Sequence, residues 1–368
     1  MKSKWLILFM VLGLVLAACG GSDSAEETVD VVEEPAETLD SPATTAAPAE
    51  TTAPAEPAAS VCMVYDIGGR GDLSFNDMAY AGLEKAMNDL GVDAQDLEPN
   101  EGGENRVELL SLCAEGGKDV IIGVGFLFGD AMNEVAGANP DVNFGIIDSV
   151  VDQPNVRGMV FAEQEGSFLV GVAAALKTTT NKIGFIGGVS GIGLIEKFEA
   201  GFVAGVHAVN PDIEVDVKYA SAAPDFAGFN DPAKGKEIAL AQYGDGADII
   251  YHAAGGTGAG LFEAAKEVSE AGTKVWAIGV DSDQYQTVSD ELKPYILTSM
   301  LKRVDSAVYL TIKDTVEGTM TGGVVVYDLS VDGVGYSTSG GYVDDIVDQL
   351  EAYKAQIVSG AIVVPTTP

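Results

Sequence analysis

Between Val61 and Val280, short apolar runs alternate with longer amphipathic segments, and the alternation runs through two successive units. Val61–Ile67 reads as a buried strand and leads into a predicted helix over Asp77–Leu90. Strand Val120–Val124, helix Ala131–Ala136, strand Asn143–Ile147 and helix Glu165–Lys177 follow, the last with small residues on one face. The pattern restarts with strand Lys182–Ile186, helix Ile195–Val209, strand Glu214–Tyr219 and helix Pro232–Tyr243. It continues through strand Asp248–His252, helix Gly260–Ala271 and strand Lys274–Val280. Strands that are apolar throughout must be covered on both faces, which parallel sheets achieve with helical return connections. Two such units predict a two-lobed α/β protein.

Open parallel sheets hold ligands beyond the carboxyl ends of their strands. Here those ends carry polar or glycine-rich punctuation: Asp66-Ile67-Gly68-Gly69, Asp148-Ser149, Gly187-Gly188, His252-Ala253-Ala254-Gly255-Gly256 and Asp281-Ser282-Asp283. They are expected to converge on one cleft between the lobes. Neither glycine loop is a cofactor motif. The one after His252 lacks the Gly-Lys-Ser/Thr of a phosphate loop, and Gly187–Gly193 matches the dinucleotide fingerprint only loosely. No cofactor is expected.

The chain opens with Lys2 and Lys4, an apolar run from Trp5 to Ala18, and then Cys19. A basic start, an apolar core and small residues before a cleavage point make a secretory signal. The run is shorter than the roughly 20 residues that span a bilayer. Leu16-Ala17-Ala18-Cys19 resembles the lipobox of bacterial lipoproteins, which implies acylation of Cys19 and a lipid anchor at the extracytoplasmic face of the cell membrane. From Gly20 to about Ala59 the chain is rich in Ala, Thr, Pro, Glu and Asp, without Lys, Arg or aromatic residues. Such a composition cannot bury enough apolar surface to order itself, and predicts a flexible leash.

The formal net charge is −36, and −38 once Lys2 and Lys4 leave with the signal. The linker holds ten of the carboxylates, so the folded body keeps about −28. That excludes nucleic acid and anionic lipid as partners. Cys62 and Cys113 are the remaining cysteines, equally compatible with a disulfide or with two buried thiols. With only His207 and His252, a His-rich metal site is not expected.

Three clusters carry candidate chemistry. In Asp66–Asp77 a strand-terminal Asp precedes a glycine-rich turn, an aromatic and an Asn at a helix start. Capping explains Ser74, Asn76 or Asp77 equally well, and Phe75 either staples the helix or packs on a ligand. In His252–Gly258, glycines let backbone N–H groups approach a ligand. In Gly279–Gln284, Asp281 caps the next segment or grips a vicinal diol. Asp72 is expected to matter little. Asp66, Asp72 and Asp77 are splayed by the helix start and form no calcium cage, and no catalytic Ser-His-Asp order or Cys stands out, so a nucleoside-processing enzyme is the weaker reading.

Together these residues resemble the basic membrane protein family of bacterial lipoproteins, the PnrA-like purine nucleoside receptors. The resemblance runs from about Cys62 to Asp314. It includes Asp66 with Phe75-Asn76, Phe198-Glu199-Ala200-Gly201-Phe202, Asp231–Lys236, His252–Gly258, Gly279–Gln284 and Ser299-Met300-Leu301-Lys302. It implies a type I periplasmic-binding-protein fold, a receptor that serves an ABC permease and ATPase, and a purine nucleoside in the interlobe cleft. Phe75 is then the base-stacking ring, with Asp66, Asn76 and Asp148 at the base edge and Asp281, Gly256 and Lys302 at the ribose. His252 is expected to stack opposite Phe75. A pentose binder is the nearest alternative, and a sensor without transport another. The expected organisation is a signal over 1–18, Cys19 and linker over 19–60, lobe 1 over 61–165 with a return segment near 283–320, and lobe 2 over 166–282 with 321–362.

Overall fold

The computed structural model describes residues 56–100 and 102–368; Cys19 and almost all of the linker lie outside the described residues. Twelve strands follow in chain order: β1 (Ser60–Val64), β2 (Asp93–Leu97), β3 (Val120–Gly123), β4 (Asn143–Ile147), β5 (Val156–Phe161), β6 (Lys182–Ser190), β7 (Glu214–Ala222), β8 (Ile249–Ala253), β9 (Trp276–Asp281), β10 (Ile296–Lys302), β11 (Gly323–Tyr327) and β12 (Val334–Tyr336). They form two six-stranded sheets, ordered β11-β5-β4-β3-β1-β2 and β12-β10-β9-β8-β6-β7. Every pairing is parallel except β10 with β12. The central strands are buried along almost their whole length, as two-sided coverage by helices demands.

Three crossings join the lobes. After β5 the chain enters helix Glu163–Lys177, whose neighbours are helix Gly193–Val209, β10 and β12 of the second lobe. After β10 it returns through helix Val304–Val316, which packs on helix Phe75–Leu90. After β11 it passes to β12 and the C-terminal helix Val347–Val358. The expected return segment near 283–320 therefore divides. Gln284–Lys302 stays with the second sheet, while Val304–Val316 and then β11 lie with the first. The polar Thr298, Ser299 and Lys302 within β10 make that strand hard to read from its residues alone.

Helices Glu163–Lys177 and Gly193–Val209 touch backbone to backbone. A Cβ at Gly201 would lie 2.1 Å from the Gln164 carbonyl oxygen, and one at Gly205 2.0 Å from that of Phe168. This contact, through the small-residue face read in the sequence, fixes Glu163, Lys197 and Phe198 relative to one another. No helix among the described residues is long and apolar enough to cross a membrane.

Cys62 on β1 and Cys113 on helix Arg106–Glu115 form a disulfide with Cα atoms 5.9 Å apart, both residues being buried. It closes a loop with a sequence separation of 51 residues. Chain-entropy reasoning assigns such a closure about 4 kcal/mol. Replacing both cysteines by Ala is expected to lower unfolding free energy by that order in urea titrations. A loss within experimental error of zero would show that the bond contributes nothing.

Candidate functional site

The carboxyl ends of β1, β4, β8, β9 and β10 surround a cavity of about 630 Å³, counted out to its mouth. Asp66, Phe75, Asn76, Asp148, Gly256, Asp281 and Lys302, named from the sequence, all line it.

One group of polar residues is built around Asp66. Its Oδ1 accepts from the Ile67 N–H at 2.8 Å and from the Arg106 guanidinium at 3.1 Å, while its backbone N–H donates to Asn76 Oδ1 at 3.0 Å. Burial pushes the Asp66 carboxyl up to about 6, against the pull of the Ile67 N–H and Arg106. Asp72, expected to matter little, also lines the cavity and organises the loop. It accepts from the backbone N–H groups of Ser74, Asn76 and Asp77 and from Asn76 Nδ2, and burial raises it to about 6. Arg106 had no mark in the sequence; it lies on the helix after β2 and meets Asp66 only in the fold.

The second group surrounds a buried ammonium. Lys302 Nζ lies 2.6 Å from Asp148 Oδ2 and 3.3 Å from Glu163 Oε1, and sits over the Phe75, Phe161 and Phe198 rings at 5.2, 5.0 and 5.6 Å. Burial opposes its charge, but Asp148, Glu163 and Asp281 outweigh that and raise its pKa. Burial pushes Asp148 up to about 7, with Lys302 lowering and Glu163 raising it, and Asp281 is likewise raised by burial. Asp148 Oδ1 is buried without a partner. Asp148 and Asp281 end or follow their strands with left-handed backbones, φ 64° and 63°, a conformation that short polar side chains tolerate. The structure thus groups Asp148 with Lys302 rather than with Asp66 and Asn76.

His252 departs from expectation. Successive residues of a strand face opposite sides; on β8 Ala253 lines the cavity and His252 points away from it. The imidazole packs edge-on against Phe262 at 5.4 Å and shares a 2.9 Å hydrogen bond with Gln284 Oε1. Only a glycine fits above it, since a Cβ at Gly258 would lie 1.9 Å from the ring. The aromatic lining comes instead from Phe126, Phe198 and Phe229 alongside Phe75. Phe126 of the first lobe meets Phe226 and Phe229 of the second edge-on, at 6.2 and 6.4 Å. The available signal was the pair of aromatics in Phe226-Ala227-Gly228-Phe229, placed in a loop where exposed rings would be wasteful.

The lobes also touch beside the cavity. Ser74 Oγ donates to Asp281 Oδ2 at 2.7 Å, and the Leu73 carbonyl accepts from Ser282 Oγ at 2.7 Å and Gln284 Nε2 at 3.2 Å. Leu73 itself has φ 55°.

A family model described as ABC transporter substrate-binding protein, PnrA-like (Bmp), matches residues 59–368. The CD4+ T-cell-stimulating antigen of Listeria innocua is 38% identical, over 99% of this chain and 98% of its own length. The ABC transporter nucleoside-binding protein BmpA of Lactococcus lactis is also 38% identical, over 83% of this chain and 88% of its own. A crystal structure of an ABC transporter solute-binding protein from Aeropyrum pernix superposes with a TM-score of 0.73 at 31% identity, covering 83% of this chain and 94% of that one.

Burial lowers the His252 pKa to about 4, against its hydrogen bond with Gln284. The unfolded chain then binds the extra proton between about pH 4 and 6.5, so this residue's contribution to stability is lost as pH falls through that window. His252→Gln is expected to lack that slope. Its stability relative to the native protein should be better at pH 4.5 than at pH 6.5 by about 2 kcal/mol in urea unfolding. Equal differences at both pH values would contradict a buried neutral imidazole.

Proposed function

The chain belongs to the Bmp family of ABC transporter substrate-binding proteins, and we propose that its solute is a purine nucleoside such as guanosine, inosine or adenosine. It is a solute-binding protein rather than an enzyme, as its family and relatives are. What carries the nucleoside reading is a single observation: one cavity combines aromatic rings with two separate polar groups, Asp66 with Asn76 and Lys302 with Asp148 and Asp281. A nucleoside needs that combination, having a flat base, a polar base edge and a ribose diol. A stacked base uses the rings more fully than a pentose would.

In this reading Phe75 stacks on the base, Asp66 and Asn76 meet its N–H donors, and Lys302, Asp148, Asp281 and the Gly256 backbone hold the ribose. Asp148 thereby moves from the base to the sugar, because it shares the ammonium of Lys302. Closure follows because the ligand touches both lobes and so favours the arrangement in which they meet. The membrane partners are an ABC permease and ATPase, and Cys19 supplies a lipid anchor on the extracytoplasmic face.

Thermal shift and calorimetry on residues 56–368 against guanosine, inosine, adenosine, cytidine and ribose test the solute class. A purine nucleoside at a hundred times its Kd should add about 2.7 kcal/mol of stability. Phe75→Ala should weaken binding about tenfold or more, since stacking on a base is worth roughly 1–3 kcal/mol. A response to ribose with none to any purine nucleoside would overturn the assignment. For the anchor, Cys19→Ser in the full chain should release the protein from the membrane fraction; retention would refute lipid attachment there.

A further inference from the structure

We propose that Glu163 is a positioning residue of the binding site: it holds the Lys302 ammonium from behind and so sets the charge that Asp148 presents to the cavity. Glu163 is wholly buried and does not line the cavity, so it reaches a solute only through Lys302. It is the first residue of the helix that follows β5, at the first crossing between lobes, whereas Lys302 ends β10 at the second. One carboxylate oxygen lies 3.3 Å from Lys302 Nζ, and the other 3.1 Å from Lys197 Nζ, which also donates to the Phe161 carbonyl at 3.4 Å. The ligand-facing cation is therefore tied to the hinge rather than to the cavity wall alone.

The charges around Asp148 come from separate elements. Lys302 faces it from β10, Glu163 from the crossing helix and Asp281 from the end of β9, with Lys197 one step behind Glu163. Asp66 and Asp72 line the same cavity from the loop after β1. Immediately around the ammonium, three carboxylates face two lysines. An uncompensated buried carboxylate is costly, so one of the three takes up a proton more readily than it would in water. Asp281 accepts from Ser74, whereas Asp148 and Glu163 each keep one buried oxygen without a hydrogen bond, Glu163 Oε1 meeting Lys302 as an ion pair alone; Asp148, its pKa pushed up to about 7 by burial and by Glu163, is that group. Removing the Glu163 charge frees Lys302 for Asp148 and removes a repulsion, and both changes favour the ionised Asp148. Removing Lys197 leaves Glu163 to compete harder for Lys302 and acts in the opposite sense.

The charge-setting role stands without any assumption about the solute; its effect on affinity rests on the nucleoside reading. The experiment follows the aspartate carboxyl ¹³C shifts of the ligand-free folded domain across pH, with Asp148 assigned by Asp148→Asn. Glu163→Gln should move the Asp148 midpoint down by about one to two pH units. Lys197→Gln, at a partly exposed position, should move it up. In the native protein inosine affinity should fall on acidification through the same midpoint, and in Glu163→Gln that fall should shift to lower pH by the same amount. An Asp148 midpoint that Lys197→Gln leaves unmoved overturns the proposal, as does an unmoved midpoint in folded Glu163→Gln. Absence of inosine binding to the native protein would instead defeat the nucleoside reading, and the titrations would still decide the role of Glu163.

Discussion

A single buried ammonium, that of Lys302, organises the centre of this protein. A buried lysine is tolerable only with its charge matched and its donors engaged. Here Asp148 and Glu163 answer it from the first lobe and from the hinge, while three phenylalanine rings lie around it. The cation thus belongs to a cavity wall, a lobe interface and a chain crossing at once. Replacing it by a neutral residue would leave buried carboxylates without a counter-charge, a heavier penalty than loss of one ligand contact.

That arrangement rests on how closely two helices approach. Gly171, Gly201 and Gly205 let helices Glu163–Lys177 and Gly193–Val209 meet at the backbone, with distances that any Cβ would violate. The approach delivers Lys197 to Glu163 and brings Phe198 to the cavity. Alanine at Gly201 or Gly205 would spread the pair, so the effect would be felt at the ammonium although neither glycine lines the site.

The two-lobed parallel architecture was legible because each central strand is an apolar run, buried on both faces, between recognisable helices. β2, Asp93–Leu97, escaped notice for the opposite reason: it is an edge strand with mostly exposed, polar residues. Seven ligand-site candidates converge because strand ends are where such sheets present side chains. His252 failed because the face of a residue depends on register, which sequence does not settle one residue at a time. Glu163, Arg106 and Phe229 were missed because their roles arise from neighbours 139, 40 and 103 positions away: Lys302, Asp66 and Phe126. The Cys62–Cys113 pairing was similarly open until the fold placed a strand beside its helix.

The carbonyl of Leu73 carries a consequence for transport economy. The hydrogen bonds it accepts from Ser282 and Gln284, and the neighbouring bond from Ser74 to Asp281, join the lobes through protein atoms alone. The two bonds to the Leu73 carbonyl contribute about 1 kcal/mol each and the one to the Asp281 carboxyl more, which favours the arrangement in which the lobes meet even without cargo. The solute then adds to an attraction that the empty lobes already have for each other, rather than creating it.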